Sequence, residues 1–161
     1  MLSPDGRRLV FGSDRWGARE IHVADSNGTH QVALTSLGSI WVGSARWSPD
    51  GATVAFDRYG HGHSAIYTVS SEGGKPLRIT GDETSDILPS FSRDGKWIYF
   101  SSNRSGTMEV WKIPPTGGRA LQVTHGGGSR ALESADGRDL YTETRTLFGL
   151  CRRPAAPRDW W

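Results

Sequence analysis

At 161 residues the chain has the length of a single domain. Nineteen lysines and arginines against 17 aspartates and glutamates leave a net charge of only +2, and the basic residues are scattered without an aromatic stacking platform; no nucleic-acid partner is expected. Twenty-one glycines, eight prolines and 35% apolar residues argue against a helical core and for short strands joined by tight turns, while a single cysteine excludes an intrachain disulfide framework and any Cys-x-x-Cys zinc site.

No apolar run is long enough for a transmembrane helix, and no membrane span is expected. Met1 to Gly6 shows no basic stretch followed by an apolar one, so no signal peptide is read in this chain.

Four tetrapeptides organise the sequence: Ser3-Pro4-Asp5-Gly6, Ser48-Pro49-Asp50-Gly51, Ser92-Arg93-Asp94-Gly95 and Ser134-Ala135-Asp136-Gly137. Their serines are 45, 44 and 42 residues apart. Each of the first three is followed by a phenylalanine (Phe11, Phe56, Phe100), then by Ile21-His22, Ile66-Tyr67 or Val110-Trp111. A glycine turn and a closing Leu34-Thr35, Ile79-Thr80 or Val123-Thr124 complete the unit. In the third unit four strands are predicted, over Pro89–Ser92, Trp97–Ser101, Glu109–Ile113 and Ala120–Thr124. The Ser-Pro-Asp-Gly turn has its own chemistry: proline presets φ, aspartate accepts nearby backbone N–H groups, and glycine takes the left-handed position. The aspartates are therefore turn formers before they are anything else.

A unit of 42–45 residues with four antiparallel strands predicts one blade of a β-propeller. The fold class is all-β, a partial propeller of about three and a half blades at residues 1–35, 44–80, 88–124 and 130–153, with 154–161 as an unstructured tail. Trp47, Trp97 and Trp111 lie inside strand patterns and are expected in the core.

The run Arg46-Trp47-Ser48-Pro49-Asp50-Gly51, with Val54-Ala55-Phe56, Ile66-Tyr67-Thr68-Val69 and Leu77-Arg78-Ile79-Thr80 behind it, resembles the WD40-like repeat of TolB-type propellers. Close variants form the propellers of dipeptidyl peptidase IV and prolyl oligopeptidase relatives, and of bacterial winged-helix regulators and kinases. The resemblance spans about residues 2–143. It implies a non-enzymatic interaction module with a periplasmic or extracytoplasmic role, binding a protein or small ligand on its loop-bearing face. The alternative it implies is the gating propeller of a serine peptidase. The first blade lacks its innermost strand and the fourth departs from the pattern, with Thr142 in place of the phenylalanine. The expectation is a fragment of a larger protein, or else a half-ring that closes as a homodimer.

No catalytic constellation is read: there is no Gly-x-Ser-x-Gly elbow, and Gly126-Gly127-Gly128-Ser129 lacks the Lys-Ser/Thr of a phosphate loop. No metal and no cofactor are expected. His61 and His63 flank one glycine in a turn; they supply two imidazoles but no third ligand, and read first as polar turn residues. Arg15, Arg58 and Arg104 recur after the second strand of successive units. They form either an arc of cations for an acidic ligand, or local packing on Trp16 and Tyr59 with pairing to Asp14 and Asp57. Trp41 sits in the connection Ser36–Gly43 between two units, as a binding anchor or as the start of the next strand.

Overall fold

In a computed structural model, residues 1–81, 83–144 and 149–155 are described. They form fourteen strands and four antiparallel sheets. The first sheet holds β1 (Arg8–Ser13), β2 (Glu20–Asp25) and β3 (Val32–Ala33); the second β4 (Val42–Trp47), β5 (Thr53–Gly60), β6 (His63–Ser70) and β7 (Leu77–Arg78). The third holds β8 (Asp86–Phe91), β9 (Ile98–Ser102), β10 (Glu109–Ile113) and β11 (Leu121–Gln122), and the fourth β12 (Ser129–Glu133), β13 (Asp139–Thr144) and β14 (Gly149–Pro154). The chain is all-β, a partial propeller whose sheets are its blades. An innermost strand of the first blade is reduced to one bridge, Leu2 to Leu9. In the last blade β14 runs past the expected boundary at 153, because Pro154, which has no N–H to give, sits at the ladder's end opposite Asp139. The rest of the expected tail, 156–161, lies outside the described residues.

The turn chemistry explains why each blade starts where it does. In all four Ser-x-Asp-Gly turns the serine hydroxyl donates to the aspartate Oδ1 and accepts the N–H five residues on, from Arg8, Thr53, Trp97 or Asp139. The same Oδ1 takes a second N–H, from Arg7, Ala52, Lys96 or Arg138. The serine hydroxyl in each case holds the aspartate below its ordinary range. These carboxylates are thus engaged within their own turns, and the glycines close them with φ near +70° (72°, 72°, 71° and 68°).

Both faces of a blade are apolar because both meet a neighbour. Val10, Ile21 and Val23 of the first blade pack on Val54, Phe56 and Val69 of the second. Ala55, Ile66 and Ile79 on the second blade's other face meet Ile98, Phe100 and Ile113 of the third. Tyr99 and Val110 then meet Ala131 and Leu140 of the fourth. Trp47 is buried as expected, but Trp97 and Trp111 are only half-buried: Lys112 Nζ lies over the Trp97 ring at 4.6 Å, and Arg104 over Trp111 at 5.0 Å. Their broad rings cover blade margins instead of filling the centre.

A second repeated device closes the seams. The first strands of the second, third and fourth blades are bulged, and each bulge carries a non-glycine residue at positive φ: Ser44 (51°), Leu88 (58°) and Arg130 (43°). The N–H of Leu88 donates to Asp57 Oδ2 at 2.9 Å, and that of Arg130 to Ser101 Oγ at 3.1 Å, each across a seam. Asp57 and Ser101 occupy the same register position, opposite Ile66 and Val110, where the first blade has Gly12 opposite Ile21.

Burial pushes the Asp57 carboxyl above its ordinary value, and the Leu88 amide offsets this only in part. A raised folded value means that what Asp57 gives the fold is complete below about pH 3.8 and is lost as pH rises through the folded value. Asp57→Asn, which keeps an acceptor for Leu88, is therefore expected to be more stable than the parent at pH 7. Asp57→Ala orphans the Leu88 N–H and is expected to lose about 1–3 kcal/mol in urea unfolding.

Candidate functional site

Chain direction alternates along each blade, so the second-to-third strand hairpins and the blade-to-blade connections share one face, opposite the Ser-x-Asp-Gly turns. On this face the connections are pinned by a recurrent carboxylate. Glu20 Oε1 accepts the N–H groups of Leu37 and Gly38 at 2.6 and 2.7 Å, and its Oε2 takes the Thr35 hydroxyl. Glu109 does the same with Gly126 and Gly127 at 2.8 and 2.7 Å, and with Thr124. The Gly126–Gly128 loop therefore directs two of its N–H groups to the fold's own carboxylate. Burial pushes Glu109 up, but the Thr124 hydroxyl and the two loop amides outweigh it, and the group sits below its ordinary value.

The six residues singled out from the sequence fall in different settings. Arg104 is half-buried and forks onto Asp86, Nη2 lying 3.0 and 2.9 Å from its two oxygens; Asp86 is 0% exposed. Its guanidinium also covers Phe100 at 5.0 Å. Arg58 is not at the equivalent position: it lies two residues nearer its blade's phenylalanine than Arg15 and Arg104 do, inside the longer β5. Its Nη2 reaches the Leu37 carbonyl at 3.4 Å, and its guanidinium lies 5.9 Å from the Tyr67 ring. Arg15 is exposed and bonds Gln31 Oε1 at 3.1 Å. None of the three pairs with Asp14 or Asp57, the partners expected if they packed locally. Trp16 instead lies 4.7 Å from the His22 ring.

His61 and His63 are exposed at the β5–β6 tip, where His61 (φ 52°) and Gly62 (φ 87°) form a left-handed two-residue turn. No group of three or more metal-ligating side chains is found among the described residues.

Trp41 extends the start of the next strand with its backbone and leaves its side chain exposed. Its carbonyl accepts the Tyr59 N–H at 3.0 Å, extending the β4 ladder by one bond, yet its side chain is out in solvent, the residue 52% exposed. Beside it Ile40 is 81% exposed. The guanidinium of Arg19 lies 4.6 Å from the centre of the Trp41 ring, held there by Nε donating to the Val42 carbonyl at 3.0 Å.

Two glycines make the room. A Cβ on Gly12 would stand 3.4 Å from Arg19 Nη2 and 3.3 Å from the Val42 carbonyl, and one on Gly43 would stand 3.4 Å from Trp41 Nε1. Arg19 and Trp41 line an open cleft of ≈ 440 Å³ together with Asp14, Gly17, Ala18 and Ile40.

Sequence reasoning missed Arg19 and both glycines, although a signal existed. Register aligns Gly12 with Asp57 and Ser101, Arg19 with Ser64 and Met108, Trp41 with Ser85 and Gly127, and Gly43 with Ile87 and Ser129. At each of these four positions every blade carries a different residue; at this one seam the four residues together build one side-chain stack.

Comparison with known proteins agrees with this architecture. The TolB beta propeller domain matches residues 36–148. An uncharacterised protein of Agrobacterium fabrum is 32% identical over 126 residues, covering 76% of this chain and 42% of that protein. The Tol-Pal system protein TolB of Bordetella pertussis is 35% identical over 159 residues (70% and 36%), and the peptidase YuxL of Bacillus subtilis 28% over 147 residues (68% and 22%). A solved TolB-type structure from Agrobacterium tumefaciens superposes with a TM-score of 0.80 at 25% identity, over 98% of this chain and 55% of that one. The chain thus spans well under half the length of these curated relatives. Its four-blade repeat, its bulged seams and the match across residues 36–148 agree: the chain belongs to the TolB beta propeller domain family.

Proposed function

We propose that the chain is the interaction surface of a TolB-like protein: a non-enzymatic module that binds a protein or small ligand on its loop-bearing face, at the seam of the first and second blades. The observation that carries this reading is that Gly12, Arg19, Trp41 and Gly43, at positions where the blades all differ, together leave an aromatic side chain 52% exposed beside a fixed cation. Exposed tryptophan beside arginine is the composition of binding hot spots. The resemblance to TolB supports an extracytoplasmic setting.

Site-specific photo-cross-linking tests this. A photoreactive side chain at position 40 is expected to capture a partner from an extract of the source organism, while one at position 116, on the opposite face, does not. Capture from 116 alone, or equally from both, contradicts the assignment of the face.

The similarity to YuxL favours one second reading, a propeller that gates a peptidase. A Gly-x-Ser-x-Gly-bearing domain in the same polypeptide, with substrate turnover altered by blocking the loop face, is the result that would establish it.

A further inference from the structure

We propose that the cleft between Arg19 and Trp41 binds a monocarboxylate joined to an apolar group; this rests on the seam being the binding site. The chemistry follows from what each wall has left to offer. Arg19 spends Nε on the Val42 carbonyl, and one face of its guanidinium lies against the Trp41 indole. Neither Nη nitrogen has a hydrogen-bond partner among the described residues, so the fork keeps donors for one planar anion, which is the geometry of a carboxylate. Pre-orientation by Val42 and Trp41 lowers the entropy that a free arginine would lose on binding.

Beside this fork stand the exposed Ile40 and Trp41 side chains, which give an apolar substituent a surface to cover. The same lining carries the exposed Asp14, whose carboxylate has no side-chain partner among the described residues. One cation and one anion in one lining leave no surplus positive charge, which disfavours phosphate and other dianions and sets this cleft apart from a phosphate site.

A carboxylate next to an apolar group occurs both at the end of a polypeptide with an apolar last residue and in a free branched-chain acid. Calorimetric titration of the full chain with N-acetyl-Gly-Gly-Leu, its C-terminal amide, and 4-methylpentanoate separates these. The acid form of the peptide is expected to bind at least about tenfold more tightly than the amide. Tighter binding of the peptide than of 4-methylpentanoate points to a polypeptide terminus, and equal binding to a free acid.

Arg19→Gln is expected to remove the preference for acid over amide, and Trp41→Ala to weaken both forms. Asp14→Asn is expected to admit succinate, which the parent binds poorly; this gain cannot come from misfolding. Equal affinity for acid and amide in the parent, or an unchanged preference in a folded Arg19→Gln, overturns the proposal. If cross-linking at position 40 persists in that case, the binding face stands and only the ligand chemistry falls.

Discussion

Replacing Arg104 with alanine is expected to destabilise the fold by about 3–5 kcal/mol, because it strands a buried carboxylate. Asp86 is wholly buried at the start of β8, and its compensation comes from the two-point contact with Arg104 and a bond from the Thr84 hydroxyl at 3.2 Å. Without the guanidinium the blade must open, admit water, or bury a charge alone. Lysine is not expected to restore stability, since an ammonium on a flexible stem cannot hold Asp86 while also giving the Nε bond to Ser102 Oγ and lying flat over Phe100 and Trp111. The double variant Arg104→Ala with Asp86→Asn should recover part of the loss, because it removes the stranded charge as well. Urea unfolding of Arg104→Ala, Asp86→Asn and the double variant against the parent measures the coupling directly. A small effect of Arg104→Ala would instead leave that arginine's charge available to a ligand.

Glu109→Ala is expected to cost about 2–4 kcal/mol, since it leaves the Gly126 and Gly127 amides and the buried Thr124 hydroxyl without their acceptor. Thr124 also accepts the Val110 N–H at 2.8 Å, so its displacement would loosen β10 as well as the connection. Glu109→Gln should lose less, because its one amide oxygen can still accept the Gly126 and Gly127 N–H groups, although its NH2 cannot accept from the Thr124 hydroxyl. The pH dependence has a definite sign. Glu109 is depressed in the folded state, so its contribution is complete above the ordinary glutamate value of 4.5 and is lost as pH falls through the folded value. Thermal unfolding followed from pH 7 downward should show a shallower acid decline in Glu109→Gln than in the parent. The second blade has Ala65 at this position, so it gives no such contribution.

The blades were legible because their determinants are local. A serine, an aspartate and a glycine at fixed spacing satisfy one another within six residues, and such a turn announces itself in any unit. Seams are a different matter. That Leu88 donates to Asp57, thirty-one residues away, depends on a bulge whose left-handed residue no propensity favours, a leucine in one blade and an arginine in another. The three arginines looked alike because they follow a phenylalanine at similar distances, but Arg58 follows its phenylalanine by two residues where Arg15 and Arg104 follow theirs by four, which places it inside β5. Trp41 was found as a residue and not as a site, because its partner Arg19 lies on another blade and the room between them is made by two glycines. A glycine in a chain with 21 of them carries little signal until register shows which side chain it replaces.

The most direct test replaces the seam's stack with the serines of the following blade. A variant carrying Arg19→Ser and Trp41→Ser has the residues that the next blade places at these positions, Ser64 and Ser85, and should unfold within about 1 kcal/mol of the parent because the blade cores are untouched. With the photoreactive group at position 40, this folded variant is predicted to lose partner capture, while an Arg15→Ala variant keeps it. Undiminished capture by the folded double variant would contradict the claim that the Arg19 and Trp41 stack at this seam is what the protein binds with.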